Sequence, residues 1–318
     1  MERITYRREL NAPGKLAGID FSNPKLEPSI RVLVNNLRQE VRSFSPPEGV
    51  EVKHRTVPVA DGETVECFLL EPQGCRNKLP AMLYCHGGGF FLPIQPMMME
   101  LAAQYARELQ IRVFVPEYRV LPDHPNPYPF RDCLGVWNWM TEQENVDRDK
   151  LLLYGESAGA TLAAGISLWQ RDHGGCQARG QMLIYPVLDN RCSRYLSMRK
   201  YMDAAWSLRS NLAMWQKYLK NGEQGLKEYV VPMRAASVED LPPTYIEAQQ
   251  FDILHDEAET FAQWLRDAGV CVAFENIEGS YHGFDADTSN EFVQSVVRQR
   301  IRMMKSMLSN ETKGMTIP

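Results

Sequence analysis

The chain has 318 residues, 44% of them hydrophobic and 24% charged, with a formal net charge of −5. That is enough for a sizeable core in one large domain or a domain with an attached subdomain. The mild acidity and scattered basic residues leave no electrostatic footprint for nucleic acid, and no stretch reaches the roughly 18 apolar residues that a membrane-spanning helix needs.

In chain order, MERITYRREL is charged and lacks the apolar core of a secretory signal. SIRVLVNNLRQEVRSF, 29–44, places Ile30, Leu33, Val34, Leu37, Val41 and Phe44 at the spacing of an amphipathic helix. SPPEG ends it. VEVKHRTVPVA and ETVECFLLEP follow, two strand-like runs joined at Asp61-Gly62, which predicts a hairpin. From residue 79 strand and helix alternate. PAMLYC, IRVFVPEY, KLLLYG and GQMLIYPVL read as strands, while MMMELAAQYARELQ, DCLGVWNWMTEQ and AGATLAAGISLWQRD read as helices. Short apolar runs between helices predict a mostly parallel sheet covered on both faces, with the hairpin as an antiparallel edge. A helical stretch, MRKYMDAAWSLRSNLAMWQKYLKNG, stands at about 190–235 where the next strand is due. The alternation resumes with PPTYIEAQQ, a helix at 256–268 ended by Gly269, the strand VCVAFENI and a last helix from about 290 to 309.

Cys67, Cys75, Cys85, Cys133, Cys176, Cys192 and Cys271 are odd in number and none stand at C-x-x-C spacing. They suggest neither a disulfide framework nor a zinc site, and fit thiols in a reducing cytoplasm. Cys85 reads as a buried strand residue.

Two stretches resist a purely structural reading. LLLYGESAGATLAAG carries Gly155-Glu156-Ser157-Ala158-Gly159 between strand and helix, the G-x-S-x-G pattern of a nucleophile elbow. A Ser157 that only capped a helix would leave the flanking glycines unexplained. A serine needs a base, and in this architecture acid and histidine follow it in the chain. Of His54, His86, His124, His173, His255 and His282, only the last three do. His173 ends the elbow helix, His255 opens another, and His282 lies in a loop after a strand-like run, where a base reaches the elbow. Asp252 lies on the preceding loop; Asp256 and Glu257 read as first-turn helix acids. The second stretch is His86-Gly87-Gly88-Gly89 after a strand. Bare amides of Gly88 and Gly89, with that of Ala158, suit an oxyanion, and losing one such donor typically costs roughly 100- to 1000-fold in rate. Neither phosphate-loop pattern is present.

HGGGF at 86–90, GESAG at 155–159, FDILHDE at 251–257 and YHGF at 281–284, with PEYRVLPDHPNPYPFRDC at 116–133, resemble the hormone-sensitive lipase family of α/β-hydrolases in its bacterial carboxylesterase branch. The resemblance covers roughly residues 50–310. Glu156, where many relatives have Asp or Thr, and YRVLPD in place of Y-R-L-A-P-E depart from the pattern without touching a catalytic position. The resemblance implies an α/β-hydrolase fold with an eight-stranded, mostly parallel sheet. It implies a catalytic domain of 50–189 and 236–318 and a helical cap from 1–49 and 190–235. It implies Ser157 as nucleophile, His282 as base, Asp252 as its partner, oxyanion donors at Gly88, Gly89 and Ala158, and a structural His86. The expected activity is hydrolysis of small short- to medium-chain carboxylic esters, with no metal or organic cofactor, in the cytoplasm, as a monomer or homodimer. Phe90, Phe91, Met97–Met99, Trp206, Met214 and Trp215 are candidate pocket residues. The same triad would serve a deacetylase or amidase acting on an acetylated sugar, drug or aryl amide. A non-catalytic small-molecule receptor on this fold would typically lack His282.

Overall fold

A computed structural model describes residues 5–11 and 19–309; residues 1–4, 12–18 and 310–318, which belong to the expected cap and catalytic segments, lie outside the described residues. In chain order the elements are α1 (Glu27–Arg42), β1 (Val50–Pro58), β2 (Thr64–Pro72), β3 (Leu79–Cys85), α2 (Pro96–Leu109), β4 (Arg112–Pro116), α3 (Tyr128–Thr141), β5 (Val146–Glu156), α4 (Ala158–Asp172) and β6 (Gly180–Ile184). There follow α5 (Leu196–Lys200), α6 (Leu208–Tyr218), α7 (Lys227–Val230), β7 (Thr244–Gln249), α8 (His255–Asp267), β8 (Val272–Ile277) and α9 (Glu291–Leu308). No helix among the described residues is long and apolar enough to cross a membrane.

The eight strands form one sheet in the order β1-β2-β4-β3-β5-β6-β7-β8. β1 and β2 pair antiparallel, with Pro58 opposite Thr64 across the expected turn, and β2 runs antiparallel to β4. Every pairing from β4 to β8 is parallel. Strand β3 is flanked by β4 on one side and β5 on the other, so the chain reverses its direction of travel across the sheet beside β3. A crevice opens outside the carboxyl ends of the strands at such a switch point. The loops after β3 and β5, which carry the triple glycine and Ser157, both leave from that spot.

Two apolar layers cover the sheet. Met99, Tyr105, Val297 and Met304 of α2 and α9 pack on one face, and Trp137, Leu162, Ile166, Phe261 and Leu265 of α3, α4 and α8 on the other. The central strands, buried on both sides, are apolar at nearly every position, as β3 shows from Ala81 to Cys85.

The segment 190–235 differs from a single long helix. Ser207 accepts a hydrogen bond from the Ser210 amide and starts α6 afresh, and the turn between α5 and α6 carries Trp206. Helix α7 lies on α4 at Gly165, where a Cβ would come within 1.9 Å of the Tyr229 carbonyl oxygen. Strand β6 is shorter than its apolar run because Tyr185 turns to φ +36°.

Candidate active site

Ser157 stands between β5 and α4 at φ +52° and ψ −123°, a conformation that non-glycine residues rarely adopt. The flanking glycines make it reachable by leaving room. A Cβ on Gly159 would lie 2.0 Å from the Cys85 carbonyl oxygen, and one on Gly155 2.5 Å from that of Gly159. The Ser157 amide donates to the Ile184 carbonyl at 2.9 Å, and the Val187 amide donates to the Ser157 carbonyl at 3.2 Å. The strained turn is therefore over-determined by its neighbours, the condition under which such strain persists at functional sites.

Asp252 lies on the β7–α8 loop and His282 on the loop after β8. These loops are stitched together by the Phe251 amide on the Ser280 carbonyl at 3.0 Å and the Gly279 amide on Gln250 Oε1 at 2.7 Å. The stitching sets the register of acid against imidazole. Asp252 Oδ2 is 2.6 Å from His282 Nδ1, and His282 Nε2 is 2.9 Å from Ser157 Oγ. Asp252 is buried, and its other oxygen accepts the Leu254 amide at 3.1 Å, which fixes the carboxylate plane. A carboxylate facing Nδ1 holds the proton there and leaves Nε2 as an acceptor for the hydroxyl.

The glycine loop is braced from below. The Phe91 and Leu92 amides both donate to the Gly88 carbonyl at 3.0 Å. Gly88 adopts φ +115° and Gly89 φ +60°, values that glycine reaches without steric cost. The amides of Gly88, Gly89 and Ala158 make no hydrogen bond to another described residue. His86 is buried, stacks on Tyr118 with ring centres 4.0 Å apart, and donates from Nδ1 to the Gly87 carbonyl at 2.7 Å. Tyr118 in turn donates to the His86 carbonyl at 2.8 Å. Burial pushes the His86 imidazole down to about 3, so it is neutral at ordinary pH.

Gly87, Gly88, Gly89, Ser157 and His282 face one cavity of about 330 Å³. Of the expected pocket residues, Met97, Met98 and Trp206 line it. Trp206 sits against Gly89, where a Cβ would meet its Cη2 at 2.6 Å, and donates from Nε1 to Asn211 Oδ1 at 3.1 Å. Phe90, Phe91, Met99, Met214 and Trp215 are instead core residues. Phe90 stacks on Tyr218 at 4.1 Å and Phe91 on Phe21 at 4.6 Å, Met99 packs between α2 and the sheet, and Met214 and Trp215 are buried on the inner face of α6. Wall residues missed in the sequence include Phe21, Tyr185, Tyr281, Asp285 and Glu156. Asp285 had a signal in its place three residues after His282; Tyr185 had one in ending a strand beside the elbow.

The cavity floor is polar. Tyr84 donates to Glu156 Oε2 at 2.8 Å, and burial, with Asp285 nearby, pushes the Glu156 carboxyl up to about 8. Arg300 of α9, fully buried, donates to both oxygens of Glu247 at 2.8 and 2.6 Å and to Asp285 Oδ2 at 2.7 Å. Tyr185 donates to Asp285 Oδ1 at 2.8 Å while its ring stands edge-on to His282 at 4.8 Å.

Residues 82–286 match a protein family described as alpha/beta hydrolase fold. The chain is 30% identical over 264 residues to Esterase LipI of Mycobacterium tuberculosis, covering 79% of this chain and 81% of that protein. It is 29% identical to an ethyl acetate hydrolase of Pseudomonas putida, covering 70% of this chain and 72% of that one. Among solved structures, a bacterial heroin esterase superposes with a TM-score of 0.82 at 27% identity, covering 96% of this chain and 98% of its own.

Proposed function

This chain belongs to the α/β-hydrolase fold family, in its hormone-sensitive-lipase-like group of carboxylic ester hydrolases, and from that premise we propose that Ser157, His282 and Asp252 are its catalytic triad. The observation that carries the reading is the hydrogen-bonded chain from Asp252 through His282 to Ser157 Oγ, at 2.6 and 2.9 Å, opening into a cavity beside the glycine loop.

The chemistry is a two-step acyl transfer. His282 Nε2 takes the hydroxyl proton as Ser157 Oγ attacks the ester carbonyl. Negative charge gathers on the carbonyl oxygen, and the amides of Gly88, Gly89 and Ala158 receive it. The tetrahedral species collapses, the alkoxide leaves with the proton from His282, and Ser157 stays acylated. Water, deprotonated by the same imidazole, then releases the acid. Asp252 holds the Nδ1–H tautomer and stabilises the imidazolium that forms at each step. His86, neutral and stacked, shapes the glycine loop and takes no proton.

A cavity of about 330 Å³ is at the small end for ligand sites, which supports short- to medium-chain esters. The segment 190–235, with residues before 50, acts as a cap: Trp206 and Phe21 both reach the cavity wall. The cysteines, none of them in a disulfide, fit a cytoplasmic setting.

The test is a panel of p-nitrophenyl esters of rising chain length, with a fluorophosphonate probe and peptide mapping. Turnover that favours acetate to hexanoate, with label on Ser157, is the expected result. A folded protein that cleaves none of them, or is labelled elsewhere, overturns the assignment.

A further inference from the structure

The wall of the cavity has a consistent sign. Among the described residues no lysine or arginine lines it, while the carboxylate of Asp285 does, beside a Glu156 that burial keeps protonated. Asp285 is buried, and it shares the single guanidinium of Arg300 with Glu247, so two carboxylates face one cation at the floor. The same bias continues outward. Past Gln95, Met97 and Ala286 the cavity adjoins a more open cleft of about 440 Å³, whose charged lining residues among those described are Glu100 and Asp287. Neither acid is in an ion pair with a described residue: Thr288 Oγ1 donates to Glu100, and Asn11 and Ser289 donate to Asp287. The rest of the wall is largely apolar and includes the aromatic side chains of Phe21, Trp206, Tyr185 and Tyr281.

We propose that the natural substrate is an ester bearing a positively charged nitrogen, a quaternary ammonium or a protonated amine, on its alcohol or acyl part. The proposal deepens the esterase reading and rests on it. Carboxylates with too few counter-cations set a negative potential along the approach, and low-dielectric walls focus it. Aromatic faces attract an alkylammonium through the ring quadrupole and shed its water at little cost. An ester carrying a carboxylate meets only like charge on the same path, with no cation among the described lining residues to receive it. Glu156, protonated at neutral pH, adds a hydrogen-bonding group to the floor in place of a further charge.

The experiment compares kcat/KM within isosteric pairs at low salt and pH 7. One pair is acetylcholine and the acetate in which tert-butyl replaces trimethylammonium. The second is the ethyl ester of trimethylammoniobutyrate and its tert-butyl analogue. The third is p-nitrophenyl hemisuccinate and p-nitrophenyl valerate. The cationic member is expected to win in at least one of the first two pairs by about tenfold, a difference of about 1.4 kcal/mol, and the anionic member to lose in the third. Raising the salt should shrink the cationic advantage. The double change Glu100→Gln and Asp287→Asn, both in the open cleft, should lower the cation-to-neutral ratio, and Asp285→Asn should lower it further. Ratios near one in both cationic pairs, while p-nitrophenyl acetate is cleaved and Ser157→Ala abolishes that cleavage, overturn the charge preference and leave the esterase reading standing. No cleavage of any ester by folded protein overturns both.

Discussion

The floor and the roof of the cavity are built by different means. The floor, from the glycine loop through Ser157, is set by backbone packed on backbone: Gly159 under the Cys85 carbonyl, Gly155 under that of Gly159. The roof is set by side chains. Trp206 hangs from Asn211, and Phe21 stacks on Phe91. Contacts between backbone atoms tolerate almost no change of residue type, whereas an apolar wall accepts many shapes of similar volume. The serine turn is thus held by packing that cannot vary, while the shape of the roof rests on packing that can.

The sharpest cut on the floor is Ser157→Ala. It should leave the melting temperature within a few degrees and lower kcat for p-nitrophenyl acetate by roughly 10⁵- to 10⁶-fold; substantial residual turnover would mean that another group attacks. Asp252→Asn should cost about 10³- to 10⁴-fold through the wrong imidazole tautomer, read as a fall in kcat with little change in KM. Gly159→Ala tests the backbone-packing claim directly. The new methyl cannot fit at 2.0 Å from a carbonyl oxygen, so a soluble, fully active variant with unchanged denaturant midpoint would break the contrast between floor and roof.

On the roof, Trp206→Ala should destabilise by about 3 kcal/mol or more as a buried indole is lost, and should raise the rate on bulkier esters relative to acetate. A uniform loss on all esters would assign Trp206 to the floor instead. The gentlest probe is pH. Glu156 has a folded-state value of about 8 against 4.5 ordinarily. Between those values the folded chain holds a proton that the unfolded chain has released, so stability falls as pH rises from about 5 to 8. Glu156→Gln should flatten that slope in chemical denaturation; an unchanged slope would show that the carboxyl ionises normally.

How much of this could be read in advance follows the same division. That Ser157, His282, Asp252 and the triple glycine come together was legible because the roles proposed for them each demand a residue type at a place in the chain, and few others satisfy it. Strands and helices were legible to within a few residues where apolar periodicity was strong, as in α1 and α4. Phe90, Phe91, Met99, Met214 and Trp215 were misplaced in the pocket because a core and a cavity wall ask for the same apolar surface. Only tertiary packing decides between them, as when Phe90 finds the ring of Tyr218. Tyr185 and Asp285 were missed for the opposite reason. Their places beside the elbow and after His282 were a signal, but their part depends on Arg300, which comes from α9 far along the chain. The break of the 190–235 helix at Ser207 was written in a capping serine but masked by a continuous apolar rhythm on either side.

Helix α4 starts just after Ser157, and about two turns further on its bare Gly165 seats α7 against it. The segment that carries Trp206 is thereby keyed to the same rod that carries Ser157. A shift of that one helix would therefore move the serine and the support of the Trp206 segment together.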